Sequence, residues 1–166
     1  MQPDEIKLLY DYSYWANERI LKAAAGVSAE QYNAPYPVSH GSLRATLVHT
    51  LGAEIVWRER CQEGVSPTAL MKEDDLPTLE KLVDLWKREE MAMRSYIDAL
   101  SQEDLLHPLE YHNTKGVGFS NVLWRILVHV VNHGTQHRAE SAAALTAFGH
   151  SPGDVDFILF LRDKNR

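Results

Sequence analysis

The sequence predicts an all-α protein, a four-helix bundle with long connecting loops. Four long segments carry apolar residues at the alternating three- and four-residue steps of a helix, and few stretches alternate as strands do. Glycine or proline follows the ends of these segments, as is typical of helix C-termini. A chain of 166 residues, 45% of them hydrophobic, can bury a core of its own. We expect a single domain over residues 1–166, because no linker or low-complexity tract divides the chain.

The four long helices are bounded by recognisable start and end signals. The first helix is predicted over residues 4–25 and ends before Gly26. The second is predicted over residues 42–63, with Ser42 as its N-cap, and the third over residues 78–100. The fourth is predicted over residues 120–148, with Gly149 in the position that favours a left-handed glycine.

Short elements are predicted in the connections, which are longer than the about 2–8 residues usual between bundle helices. Ser28 and Ser101 each fit the N-cap of a short extra turn. Residues 111–118 contain glycine and asparagine, which are typical of a turn, and this segment is predicted to be a turn or a short hairpin. The tail over residues 155–161 is compatible with a short strand or a short helix, and periodicity does not separate the two.

Composition argues against several classes of protein. The 17 Lys and Arg against 23 Asp and Glu give a net charge of −6, whereas nucleic acids and anionic membranes are bound by clustered basic residues. A single cysteine, Cys61, excludes an intrachain disulfide framework and a cysteine-rich zinc module. The N-terminus lacks a secretory signal, and no apolar run approaches the length of a membrane span. We therefore expect a cytoplasmic protein that binds neither nucleic acid nor membrane.

Eight histidines are the most informative residues for function, since imidazole is a common metal ligand and proton carrier near neutral pH. His133 and His137 stand four residues apart, which places both rings on one helix face within reach of a single cation. They also occupy an otherwise apolar stripe with Ile126, Val130 and Ala144. Buried polar groups need a partner, and a metal would supply one.

Alternatives to a metal site remain open on spacing alone. Surface or hydrogen-bonded core histidines explain most such pairs, and Gly134 stands where the HExxH zincin motif has its general-base glutamate. A third ligand is needed, and His49 is the best candidate because its face of the second helix carries small residues. His49 could equally be a hydrogen-bonded core residue. His129 is a rival ligand, a neighbour of the ligands or a packing residue.

The remaining polar candidates have both functional and ordinary interpretations. Four histidines fall in predicted loops, where solvated or capping roles are expected, although the first of them could rim a site: His40, His107, His112 and His150. Other side chains could orient ligands, bind an anionic group or form solvated ion pairs: Arg138, Glu140, Glu54, Trp57 and Arg58. Cys61 is a weak candidate for a nucleophile because no histidine lies within its helical turn.

Several blocks together resemble the DinB family, in the right order and over nearly the whole chain. They are Tyr14-Trp-Ala-Asn17, Thr46-Leu-Val-His49, Ala53-Glu54 with Trp57, His129-Val-Val-Asn-His133-Gly-Thr-Gln-His137-Arg138, and Gly149-His-Ser-Pro-Gly-Asp154 with Asp156-Phe157. The resemblance implies a four-helix bundle that is usually a homodimer. It also implies one divalent transition metal, commonly nickel or zinc, bound by His49, His133 and His137. Nothing in it implies DNA binding.

The resemblance implies the chemistry less closely. Characterised members of the wider superfamily use low-molecular-weight thiols, such as bacillithiol or mycothiol, in sulfur transfer or isomerisation. Three histidine ligands leave a coordination position open, as in catalytic rather than structural zinc sites. The leading hypothesis is a thiol-dependent S-transferase acting on a small electrophile. The alternatives are a metal-dependent hydrolase and a non-enzymatic, stress-associated metal-binding protein.

Overall fold

The computed structural model describes residues 1–164 and shows a mostly helical chain with one small antiparallel sheet. The predicted all-α class therefore holds broadly, with a hairpin added to it. In chain order the elements are α1 (Pro3–Ala24), α2 (Ala29–Asn33), α3 (Leu43–Arg58), a π-helical turn (Glu59–Glu63), a 3₁₀ turn (Glu73–Asp75), α4 (Leu79–Asp98), α5 (Gln102–Leu106), β1 (Pro108–His112), β2 (Gly118–Val122), α6 (Leu123–Ala147) and α7 (Phe157–Lys164).

Helix boundaries follow the capping chemistry of the sequence. The Ser42 hydroxyl accepts the Ala45 amide at the start of α3, and Thr78 accepts the Lys81 amide at the start of α4. Ser28 and Ser101 cap α2 and α5 in the same way, which confirms the two short extra turns. These side chains satisfy amides that have no partner within the first turn of a helix.

The four long helices pack as neighbours around two apolar clusters. Helix α6 packs against both α1 and α3, and α4 packs against the same two helices. One cluster joins the first half of α1 to the start of α6 and the end of α4, with Ile6, Met93 and Leu127 fully buried. The other joins the second half of α1 to α3 and the end of α6, with Ile20 and Leu47 at its centre. Polar residues lie between the two clusters along the helices.

Two boundaries differ from those predicted from periodicity. The fourth long helix begins at Leu123 rather than Ser120, because residues 118–122 form β2 and pair with β1, Ser120 opposite Glu110. The second long helix is α-helical only to Arg58 and continues as a π-helical turn to Glu63, closed by Gly64 at a positive φ of 67°. Neither difference could be predicted from the spacing of apolar residues, because strand pairing and a change from α- to π-helix do not alter that spacing in the sequence.

The tail adopts the helical alternative as α7. Phe160 is buried there against Tyr12 and Trp15, with ring centroids 5.9 and 5.8 Å apart. The segment for which the sequence allowed either a strand or a helix is therefore helical from Phe157 onward, and it packs against α1. Within residues 1–164, no helix combines the length and apolar character that crossing a bilayer requires.

Candidate metal centre

The three histidines of the predicted triad meet between α3 and α6. The Nε2 atom of His133 lies 3.2 Å from Nε2 of His49 and 3.1 Å from Nε2 of His137. Successive turns of α6 carry His133 and His137, and the packing of α3 on α6 brings His49 opposite them. Side chains 84 positions apart in sequence thereby converge on one point.

A fourth histidine, His40, joins this cluster from the loop before α3. Its ring stacks on that of His49, with centroids 3.8 Å apart and planes at 25°, and lies 5.1 Å from the ring of His137. One ligand nitrogen from each of His40, His49 and His137 lies within 4.8 Å of the other two. Of the two roles left open for His40, a solvated loop residue or the rim of a site, the contacts support the second, because its ring lies against the triad.

The loop holds His40 there through a tight reversal of the backbone. The Tyr36 amide donates to the Gly41 carbonyl at 2.8 Å, and Pro35 and Ser42 form an isolated antiparallel bridge. Gly41 has a φ of 80°, a left-handed conformation that side chains disfavour. The reversal therefore depends on glycine directly after His40.

The donor set fits a metal better than it fits mutual hydrogen bonding. His137 donates its Nδ1–H to the Glu140 carboxylate at 2.8 Å, and in this tautomer Nε2 carries the lone pair that a metal can take. Nε2 of His133 faces this lone pair and also faces His49, and one proton satisfies only one of these two contacts. A divalent metal accepts a lone pair from every nitrogen at once. The histidines could therefore hold such an ion.

Burial keeps the cluster in the form that binds metals. Burial first, and then the proximity of other histidines, lowers the pKa of His49 and of His133 to about 4. Both rings are thus neutral near pH 7, and their nitrogens are available as ligands. The pKa of His40 is also lowered, mainly by burial.

Glu140 orients the cluster from one side. Its Oε2 accepts from Nδ1 of His137 and from the Ser39 hydroxyl, both at 2.8 Å. Partial burial raises the pKa of Glu140, but these hydrogen bonds outweigh it and lower the pKa overall. A carboxylate on the far nitrogen fixes the tautomer and strengthens the imidazole as a ligand. Of the interpretations left open for Glu140, orientation of a ligand is the one that the contacts support.

Arg138 lies under the cluster and is not part of a solvated ion pair. Only 3% of it is exposed, and its guanidinium donates to Ser13, Asn17 and Thr135 at 2.8–3.0 Å. These bonds fasten α6 to α1 directly behind the site. The solvated ion pair expected for Arg138 was wrong, because its side chain is buried and its acceptors are uncharged residues of α1 and α6.

Glu54 is the other buried charge behind the site. Its carboxylate accepts from the Tyr14 hydroxyl at 2.5 Å and from the indole nitrogen of Trp86 at 3.3 Å. Burial raises the pKa of Glu54 to about 7 despite these bonds. Arg58 is half-buried and pairs with buried Glu89 at 2.7 Å, so it is not a solvated surface ion pair either.

We expect Glu54→Gln to remove a pH dependence of stability. The folded pKa of Glu54 exceeds its unfolded value of 4.5, so folding favours the protonated form and its stabilisation is lost as pH rises from 4.5 through about 7. Between pH 4 and 8, wild type should lose about 3 kcal/mol of unfolding free energy relative to the variant. Urea unfolding of metal-free protein across this range measures the difference. Glu18→Gln, at an exposed site on α1, is the control. Parallel curves for wild type and Glu54→Gln would contradict the assignment.

The other candidates lie at the edge of the cluster or away from it. His129 is exposed, one turn before His133, with the two rings 5.9 Å apart. Trp57 packs edge-on against His129 at 5.4 Å. His112 lies in β1 rather than in a loop, and its amide donates to Ser66. His107 follows α5 and His150 packs against Gly26, so neither reaches the cluster.

The fold and the site together describe a helical protein with a histidine cluster able to hold a metal ion. Comparison with known families matches the chain over residues 1–165 to the DinB family. The chain belongs to the DinB family, as its sequence motifs predicted. It is similar to Protein DinB of Bacillus subtilis (strain 168), at 27% identity over 157 residues that cover 92% of this chain and 91% of the relative.

Proposed function

We propose that this chain is a metal-dependent enzyme that joins a low-molecular-weight thiol to a small electrophile. In this proposal, His49, His133 and His137 hold one divalent ion, nickel or zinc. The observation that carries it is the convergence of three Nε2 atoms, with contacts of 3.1 and 3.2 Å, at a place where burial keeps His49 and His133 neutral near pH 7. A bound divalent metal lowers the pKa of a thiol and makes the thiolate available near neutral pH.

The thiol is supplied from outside the chain. Burial raises the pKa of Cys61, the single cysteine, to about 12, so its thiolate is scarce at neutral pH. The chain's own contribution is to position the cosubstrate at the histidines and to keep His137 oriented through Glu140. The thiolate sulfur forms a bond to an electrophilic carbon, whose leaving group or π bond takes up the displaced electron pair, and the thiol proton passes to solvent.

A second function, metal binding without catalysis, has its own support in His40. A fourth imidazole stacked on His49 could occupy the position that a catalytic site leaves open. Closed sites with four protein ligands are typically structural. This alternative corresponds to the stress-associated metal-binding protein considered above.

Conjugation assays separate these possibilities. The untagged protein, loaded in turn with zinc and nickel, should accelerate the conjugation of chlorodinitrobenzene with at least one cellular thiol, and His137→Ala should not. Hydrolysis of an ester or amide without any conjugation would favour the hydrolase alternative. Stoichiometric metal with neither activity over a broad panel would favour metal binding alone.

The family membership also supports proposals about domain organisation, oligomeric state and location. We infer that the four long helices form the bundle of the DinB family within one domain over residues 1–166, of which 165 and 166 lie outside the described residues. We also propose a homodimer in the cytoplasm that binds neither nucleic acid nor membrane. The net charge of −6 argues against binding to nucleic acid or to an anionic membrane. For the dimer, exposed Val117 and Phe119 offer apolar surface to a partner copy. Light scattering at micromolar concentration tests the dimer.

A further inference from the structure

The histidine cluster offers four imidazoles, one more than the proposed triad uses. Nε2 of His133 lies within 3.2 Å of Nε2 on both His49 and His137. One ligand nitrogen of His40 lies within 4.8 Å of a nitrogen on each of the same two residues. His49 and His137 therefore belong to two sets of three, and His133 and His40 are the members that differ. A tetrahedral ion has positions for all four nitrogens.

The two members that differ are held with unequal firmness. His133 lies inside α6, a helix of 25 residues that packs against both α1 and α3. His40 lies in the segment over residues 37–41, in which no residue is buried. The backbone hydrogen bonds of this segment join residues 36–41 to one another. Segments with few buried contacts open at a low cost in free energy, so the loop can carry His40 away from the cluster, whereas His133 is fixed by its helix.

A stacked ring and one hydrogen bond join the loop to the cluster. The ring of His40 lies 3.8 Å from that of His49. The Ser39 hydroxyl donates to Oε2 of Glu140 at 2.8 Å, and the same oxygen accepts from Nδ1 of His137 at 2.8 Å. Water competes for the Ser39 hydrogen bond at this exposed position, so the bond restrains the loop weakly. Glu140 thereby links the position of the loop to a ligand of the triad.

We propose that His40 is a displaceable fourth ligand of the metal site proposed above. In the resting protein its imidazole occupies the position that the triad leaves open, and it moves away with the loop when the thiol cosubstrate binds. One nitrogen leaves as one sulfur enters, so the number of ligands is unchanged. The pairing of Pro35 with Ser42 closes the base of the loop and confines the movement to residues 37–41. This role of His40 rests on the proposed function and adds to it a means of admitting the cosubstrate.

The test uses cobalt(II) as the metal and azide as the entering ligand. The visible absorption of cobalt(II) depends on the number and kind of its ligands. In titrations followed by this absorption, azide should bind cobalt-loaded His40→Ala at least about 10-fold more tightly than wild type, because no imidazole has to leave first. Ser39→Ala should tighten azide binding by a smaller factor, since it frees the loop and keeps the imidazole. Free imidazole, added to His40→Ala without azide, should restore the wild-type spectrum.

His129→Ala is the matched control, because it removes an exposed imidazole beside the cluster, and its affinity for azide should equal that of wild type. Equal azide affinities and equal spectra for wild type and His40→Ala would show that His40 is not a ligand and would overturn the proposal. Azide binding by His40→Ala but not by wild type would overturn the displacement and favour metal binding without catalysis. Failure of every thiol assay alongside the expected azide results would overturn the proposed function and leave the displaceable ligand in place.

Discussion

Replacing His137 with Ala should abolish stoichiometric binding of a divalent metal. His137 belongs to both sets of three that the structure brings together, the triad with His49 and His133 and the set with His40 and His49. Losing a residue that merely orients a ligand costs about 10–100-fold in affinity, so losing a ligand shared by both sets should cost about 100-fold or more. Elemental analysis of untagged protein, followed by competition titration with a chromophoric chelator, measures the loss.

Two further variants decide which histidines complete the site. If the triad is correct, His133→Ala should lose the metal as His137→Ala does, whereas His40→Ala should retain one equivalent. The reverse pattern would show that His40 is the third ligand. His129→Ala is the matched control, since it removes an exposed imidazole one turn away on the same helix. One full equivalent of metal in His137→Ala would contradict any site built on this cluster.

The sequence could predict the part of this site that helical periodicity governs. His133 and His137 share a face because four residues make about one turn, and this relation is independent of tertiary structure. His49 could be chosen because it lies mid-helix among small residues. Each of these residues sits inside a long helix whose existence depends on local pattern. The long helices and their capping residues were predictable for the same reason.

The loop and the hairpin depend on tertiary contacts that no local pattern encodes. His40 reaches the cluster only because Pro35 pairs with Ser42 and Gly41 reverses the chain. A loop histidine has no periodicity to reveal its direction. The hairpin likewise shortens α6 and places Tyr111 against Trp57. A glycine directly after a loop histidine was the available signal, although it is a weak one.

The buried charges escaped prediction because charged residues are ordinarily assigned to the surface. Arg138 finds acceptors in Ser13 and Asn17, more than 100 positions away, and no local pattern links residues so far apart in sequence. Glu54 finds Tyr14 and Trp86 in the same manner. A polar layer of this kind fixes how α1, α3, α4 and α6 align, since each buried group requires its particular partners.

Arg138→Met should therefore destabilise the metal-free protein by about 3–5 kcal/mol. The change leaves Asn17 and Ser13 without their buried donor and removes the positive charge that partly compensates Glu54. Urea unfolding followed by circular dichroism measures the cost, with metal removed so that ligand binding adds nothing to stability. Arg125→Met, on an exposed turn of the same helix, should stay within about 0.5 kcal/mol of wild type. Equal effects of the two changes would show that the network behind the site contributes little.

The effect of Gly134→Ala on the free energy of unfolding should have opposite signs in the wild-type and Arg138→Met backgrounds. In a helix interior, Ala is favoured over Gly by about 1 kcal/mol, so the change alone would be expected to stabilise α6. A Cβ at position 134, however, would lie 2.8 Å from Nη1 of Arg138, which its bonds to Ser13 and Asn17 hold in place. In the wild-type background, this overpacking should cost about 1–3 kcal/mol. With Met at position 138 the guanidinium is gone, and the same change should stabilise by up to about 1 kcal/mol. A double-mutant cycle measures both values, and additive effects would mean that Gly134 is not required by Arg138.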